Sequence, residues 1–364
     1  MEFFTTKPSI KTSSSFTDLQ NLGDAENSFN IKIPWVEKYR PKNSNEILLE
    51  PFIKQKIEQI LSSKSIPNMI ITGEPGTGKT STILFLAKQI YGDRYSENVL
   101  ELNASDDRGL SIINNTIYPF CKKKTNCLTN TDKNYPNHKL VILDEADSIT
   151  PKAQNLLSNI ISEFRKNTRI VFICNDCTQI IESIQSRCMI IKYPRINSDN
   201  LYQKIEYICQ NEKIPYSPEG INALIFVSDQ DIRQTINNLE CIYYSFGTLN
   251  EKNIYKLIDK PKPYYIKEII TGCFENDYVK TINIVKSLYN KGYTPNDILL
   301  TFMKYLFENT SNINYTNLKE ETKLKIYEII SLSYIRVNGG IDTLLQLCGC
   351  ISKIFLYLQN EKNL

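Results

Sequence analysis

The chain carries one histidine, His138, in 364 residues. A single imidazole excludes multi-histidine metal sites and argues against Ser-His or Cys-His nucleophilic chemistry. Arginine is scarce too: nine occur among 43 basic side chains, so the positive charge is mostly lysine, and the formal net charge is only +3. That balance excludes a histone-like coat of charge but permits a local basic surface facing phosphates. No apolar run approaches the eighteen or so residues that span a bilayer, so no membrane partner is expected. The opening Met1-Glu2-Phe3-Phe4 lacks a basic segment and a continuous apolar core, so secretion is not expected. Ten cysteines in a chain of this length do not make a disulfide framework. Whatever chemistry the protein performs must run on carboxylates, lysine, arginine and hydroxyls.

What is present suffices for more than one core. The composition, 41% hydrophobic and 23% charged over 364 residues, predicts a globular protein of two or three domains. Residues 1–33, rich in Ser, Thr and Asn, are expected to be a tail dispensable for folding. Over residues 34–194, short apolar runs alternate with helical patterns: Met69-Ile70-Ile71, Val99-Leu100-Glu101-Leu102, Leu140-Val141-Ile142-Leu143 and Ile170-Val171-Phe172-Ile173. Such runs suit strands buried on both faces, and the helices between them imply a parallel α/β sheet of the nucleotide-binding kind. After Tyr193-Pro194, over residues 195–260, the spacing predicts three short helices, marked by Leu201, Ile205 and Ile208, by Ile221, Leu224 and Ile225, and by Ile232, Ile236 and Leu239. Lys260-Pro261-Lys262-Pro263 reads as a hinge, because each proline removes a donor and biases its predecessor out of the helical region. Residues 261–364 read as helical, with breaks at Gly292 and Gly339-Gly340.

Gly73-Glu74-Pro75-Gly76-Thr77-Gly78-Lys79-Thr80 fits G-x-x-x-x-G-K-[ST], after one expected strand and before a helix carrying Ile83, Leu84, Leu86, Ala87 and Ile90. The glycines let successive N–H groups turn toward phosphate oxygens. Lys79 is expected at the β and γ phosphates, and the Thr80 hydroxyl on Mg²⁺. Gly73, Gly76, Thr77, Gly78, Lys79, Thr80 and Ser81 are therefore the expected ATP contacts. Leu140 to Leu143 run into Asp144-Glu145, which puts two acids at the carboxyl end of a buried strand beside that loop. Asp144 is expected to hold Mg²⁺ and Glu145 to polarise the attacking water.

These motifs belong to an ordered series that resembles the small subunits of replication factor C, the AAA+ sliding-clamp loader. Pro34-Trp35-Val36-Glu37-Lys38-Tyr39-Arg40-Pro41-Lys42 looks like the family's amino-terminal box. After the phosphate loop come Glu101-Leu102-Asn103-Ala104-Ser105-Asp106-Asp107-Arg108-Gly109, Asp144-Glu145-Ala146-Asp147, Cys174-Asn175, Ser186-Arg187-Cys188 and Asp231-Ile232-Arg233, in family order. The resemblance implies an AAA+ core, a three-helix lid and a helical collar that holds a hetero-pentameric ring together. It implies that Tyr39, Arg40 and Pro41 lie by the adenine, that Asn175 positions water as sensor 1, and that Arg233 reaches from the lid as sensor 2. By the same resemblance Arg187 is a finger acting in the next subunit's site. The implied partners are the other loader subunits, a sliding clamp and primer-template DNA. Ser105, Arg108, Ser111 and Lys152 are the expected backbone contacts to that DNA. The implied place of action is intracellular, at sites of DNA replication, in a nucleus or a viral replication compartment.

Three positions depart from the family pattern: Glu74 replaces the usual proline, Gln230 the usual glycine, and Ser158-Asn159 stands where many relatives have two arginines. Glu74 and the missing arginines keep open the alternative of a non-hydrolysing scaffold subunit of the same ring, and a different AAA+ DNA motor is a further alternative. Ile112, Ile113, Ile117, Tyr118, Pro119 and Phe120 offer anchors for the clamp, but core packing is the favoured use of that helix. Cys174-Asn175-Asp176-Cys177, with Cys121 and Cys127, is read as free thiols and not as a zinc site.

Overall fold

The chain builds a five-stranded parallel sheet, β1 (Met69–Gly73), β2 (Val99–Asn103), β3 (Lys139–Asp144), β4 (Thr168–Cys174) and β5 (Met189–Tyr193), in which the apolar runs of β1, β3 and β4 send even and odd positions alike into the interior. The computed structural model describes residues 33–41, 43, 46–105, 110–123, 136–308 and 320–362, so residues 1–32 of the expected tail lie outside the described residues. The strand order is β2-β3-β4-β1-β5. Met69, Ile71, Leu140, Ile142, Val171 and Ile173 join the core on one face, under the helix Lys79–Tyr91. Ile70, Val141, Leu143, Ile170 and Phe172 join the core on the other, under the helix Pro151–Glu163. Burial on both faces is what parallel strands with crossover helices require.

The apolar runs predict four strands, and the described residues form five. Along β5, exposed Ile190 and Lys192 alternate with Ile191 and Tyr193, which are buried. β5 pairs only with β1, so it is an edge strand half open to solvent and shows no continuous apolar run.

Over residues 195–260 there are four helices, Ser198–Asn211, Pro218–Val227, Ile232–Phe246 and Glu251–Leu257, around a core of Leu201, Ile205, Ile208, Ile221, Leu224, Ile236, Leu239 and Ile254. The fourth buries only Ile254, too little for a periodic signal. Trp35 joins this same core, its N–H donating to Glu240 at 3.0 Å and its ring lying 5.4 Å from that of Tyr243.

Pro263 opens the next helix, Pro263–Phe274, where its missing N–H costs nothing. Tyr278–Asn290, Pro295–Glu308, Glu320–Asn338 and Leu344–Lys362 follow. Gly292 and Gly340 mark breaks between these helices, at φ of +94° and +99°. One carboxylate joins this bundle to the preceding one: Asp229 pairs with Lys260 at 3.1 Å and with Lys304 on the helix Pro295–Glu308. No described helix is long and apolar enough to cross a membrane.

Candidate functional site

The carboxyl ends of β1, β3 and β4 lie side by side, and the polar residues that follow them share one edge of the sheet. Between β1 and the helix Lys79–Tyr91 the phosphate loop turns through Gly76 at φ +71° and Gly78 at φ +86°, the left-handed region where glycine carries no penalty. Gly76 has a second reason: a Cβ there would sit 1.8 Å from a carboxylate oxygen of Asp231. Lys79, 7% exposed, donates from Nζ to the carbonyls of Gly73 at 2.6 Å and Glu74 at 2.8 Å, and to Asn175 Oδ1 at 3.0 Å. Burial pushes its ammonium below the ordinary lysine range, resisted chiefly by Asp144.

Thr80 Oγ1 donates to Asp144 Oδ2 at 2.9 Å, so a hydroxyl and a carboxylate converge where β3 ends. These are hard oxygen donors of the kind Mg²⁺ takes, one carboxylate being enough when substrate phosphates complete the shell. Glu145 follows in the left-handed conformation, φ +52°, at a cost of about 1–2 kcal/mol for a residue with a Cβ. Its side chain is exposed and has no hydrogen bond or ion pair to any described residue. Asn175, just past β4, is fixed on three sides. Its N–H donates to Asp147 at 3.2 Å, its carbonyl accepts from Thr72 at 3.1 Å, and its amide oxygen holds Lys79.

The opposite wall comes from the helical region. Asp231 caps the helix Ile232–Phe246, accepting from the N–H groups of Arg233 at 2.8 Å and Gln234 at 3.1 Å, while the same carboxylate abuts Gly76. Cap and loop thereby bring Arg233 to the cleft. The cleft, about 420 Å³, is lined by Tyr39, Arg40, Pro41, Gly76, Thr77, Gly78, Lys79, Thr80, Ser81, Asp144, Glu145, Asn175 and Arg233. Gly73 stands one step behind, reached through its carbonyl. Tyr39 donates to Glu212, which also takes Lys38 at 2.5 Å, and burial followed by Glu212 raises the Tyr39 phenol well above its ordinary range.

Other expected residues lie elsewhere. Arg187 is exposed and does not line the cleft; it donates to the Ser183 carbonyl at 2.6 Å and to Ser162 Oγ at 3.2 Å. Ser158 is buried four residues before Ser162, with its backbone carbonyl taking the Ser162 hydroxyl, and Asn159 is exposed. Ser105 closes a turn on Asn103 Oδ1, Ser111 and Lys152 are exposed in the first turns of their helices, and Arg108 lies outside the described residues. Ile113 and Ile117 are buried in the sheet core, whereas Tyr118 stands partly open against Phe164.

Sequence reasoning missed cleft residues. Asn103 was within reach as the last residue of β2, paired in register with Asp144. Lys204 carries a signal too, sitting three residues after Leu201 and four before Ile208, on the apolar face of its helix. Ile196, Ile232 and Ile236 also line the cleft. The three departures acquire surroundings. Glu74 pairs with Arg195 at 2.5 Å on the surface, so its charge is offset. Gln230 takes a left-handed φ of +60° where glycine is free of strain, and donates to Ser198 at 3.1 Å. Cys174 and Cys177 are free, and burial pushes the Cys174 thiol up to about 11.

Residues 69–195 match the family described as ATPase family associated with various cellular activities (AAA), and residues 261–353 match the replication factor C C-terminal domain. The chain is 37% identical over 329 residues to replication factor C subunit 2 of Arabidopsis thaliana, covering 90% of this chain and 95% of that protein. It is 39% identical over 331 residues to the probable replication factor C subunit 2 of Dictyostelium discoideum, covering 91% of this chain and 94% of that one. Among solved structures, the Thermotoga maritima RuvB Holliday junction branch migration motor superposes with a TM-score of 0.51 at 13% identity, over 74% of this chain and 91% of that one, a likeness of fold alone.

Proposed function

The chain belongs to the replication factor C subunits, with their AAA ATPase domain, and from that premise we propose that it is an ATP-hydrolysing member of a clamp-loader ring. ATP binding grips a sliding clamp and primer-template DNA, and hydrolysis releases both. The observation that carries this reading is the cleft, where a phosphate loop, the Thr80–Asp144 pair, Glu145, Asn175 and Arg233 face a common space.

On this reading residues 34–194 are the ATPase core, 195–260 the lid, and 261–364 the collar that closes the ring with the other subunits. Main-chain N–H groups of Gly76 to Thr80 hold the phosphate tail, and Lys79 exchanges its loop carbonyls for β and γ oxygens. Thr80 and Asp144 hold Mg²⁺, whose chemistry when bound is to neutralise charge on those oxygens. Glu145, free of partners, orients water and accepts its proton, while Asn175 positions that water and Arg233 meets the γ-phosphate from the lid. Arg187, turned away from its own cleft, serves the site of the next subunit, so hydrolysis depends on assembly. Ser105, Arg108, Ser111 and Lys152 meet the DNA backbone. The work takes place where DNA is replicated, in a nucleus or a viral replication compartment.

The test is ATP turnover by the complex assembled with its partner subunits. We expect stimulation by sliding clamp and primer-template DNA together, and the absence of any stimulation rules the reading out. Glu145→Gln is expected to lower that rate about 10²-fold with ATP binding retained. An unchanged rate marks a non-hydrolysing scaffold subunit instead.

A further inference from the structure

A buried lysine in the cleft has no task in the reading above. Lys204 lies on the inward face of the helix Ser198–Asn211 and is 9% exposed. Its ammonium makes no hydrogen bond or ion pair with any described residue. The described contact nearest to one is the ring of Tyr207, whose centroid lies 5.5 Å from Nζ. Such a contact does not replace a hydrogen-bond acceptor for the ammonium. The nitrogen is not among the sealed buried atoms, so it retains an opening, and Lys204 lines the cleft. Two other cations of the cleft are engaged, Lys79 by the loop carbonyls and Asn175, and Arg40 by Glu37 at 3.1 Å, while Arg233 is assigned above to the γ-phosphate.

Position narrows the acceptor. Tyr207 packs edge-on to Tyr39, with centroids 6.5 Å apart, so Lys204 belongs to the end of the cleft that holds Tyr39. Val36, Ile47 and Leu48 line the cleft as well, and apolar and aromatic walls suit a flat heterocycle. An ammonium offers three donors and no acceptor, so it meets a ring atom with a lone pair.

We propose that Lys204 is a specificity residue of the nucleotide cleft, its ammonium donating to a ring nitrogen of the purine base. This inference rests on the reading of the cleft as an ATP site and adds a contact to the base.

The test uses the full chain and equilibrium binding of ATP, ADP and inorganic tripolyphosphate. Lys204→Met keeps the aliphatic stem and removes only the charged donor. It is expected to weaken ATP and ADP alike by about tenfold, to leave tripolyphosphate binding unchanged, and not to lower the thermal midpoint of the nucleotide-free protein. Lys204→Gln, which keeps a donor, is expected to lose less. Among the 1-deaza, 3-deaza and 7-deaza analogues of ATP, one is expected to bind the unsubstituted chain and Lys204→Met equally well, which identifies the ring nitrogen. Unchanged ATP affinity in Lys204→Met overturns the proposal, as does an equal loss for tripolyphosphate, which would put the ammonium on the phosphates. A full loss with all three deaza analogues overturns the assignment to the base. Failure of the unsubstituted chain to bind ATP overturns the ATP-site reading itself, a result distinguishable from any of these.

Discussion

The parallel-sheet region and the carboxyl-terminal helical bundle treat their surfaces differently. In the first, the exposed apolar side chains include Leu110, Tyr118 and Ile190, 42%, 36% and 36% exposed, and Lys79, Thr80 and Asn175 at the sheet edge are tied to main-chain or side-chain partners while the Glu145 side chain stands open. In the second, a full core from Ile266 to Leu358 coexists with open apolar residues aligned along helices. Leu324 and Ile335, 68% and 65% exposed, stand three turns apart on one helix, and Leu345 and Leu356, 81% and 58% exposed, on another. A region that completes its own burial can hold a reactive site in place. Apolar residues left open along helices suit a surface that a partner covers, as the collar role proposed for this bundle requires.

The largest test of that contrast is Arg187→Ala, which is expected to cost the assembled complex about 10³ in ATP turnover while the isolated chain binds nucleotide as before. Weakened binding in the isolated chain would mean that the sheet region does not keep its own cleft independent of assembly. Within the bundle, Ile330→Ala is expected to cost about 2–5 kcal/mol in urea unfolding, because Ile330 is fully buried. Leu324→Glu with Ile335→Glu is instead expected to change folding by roughly 0.5 kcal/mol or less per site, yet to dissociate the complex in sedimentation. If the double variant still assembles, the exposed stripe is not an interface.

On the sheet side, His138 supplies a pH test. Burial, and then Arg169, push its imidazole down from 6.5 to about 4, and its Nε2 accepts the Ile66 N–H at 3.4 Å. The unfolded chain takes up this proton near pH 6.5 and the folded chain only near pH 4. The contribution is therefore whole above pH 6.5 and is lost as pH falls toward 4, on the order of 3 kcal/mol. His138→Gln, which keeps an acceptor, is expected to flatten that acid limb of the unfolding curve, and an identical limb would exclude His138 as its source. The smallest effect belongs to Glu74→Ala, which breaks a surface pair with both side chains more than half exposed and is expected to change stability by less than about 1 kcal/mol.

The contrast also explains what could be read in advance. Strands β1, β3 and β4 announce themselves because both faces are buried, and their polar carboxyl ends fall on one edge of the sheet, so Lys79, Thr80, Asp144, Glu145 and Asn175 come together in space. β5 stayed hidden because half of an edge strand faces water. The docking of Trp35 beside Tyr243, and Arg195 meeting Glu74, join residues more than a hundred positions apart and leave no local period. Lys204 was visible as a cation at an apolar position, but its meaning comes only from the cleft it borders.

Asp229 has a mechanical consequence. It stands at a left-handed φ of +55° immediately before Gln230, and holds both Lys260, beside the prolines, and Lys304, from the bundle beyond. Moving the bundle away withdraws Lys304 and leaves Asp229 with Lys260 alone, so bending at the prolines breaks one half-exposed ion pair. The stretch Tyr193 to Ile196 carries an ion pair of its own, Arg195 with Glu74, and Asp231 beyond it abuts Gly76, so the four-helix unit is tied to the phosphate loop as well as to the bundle.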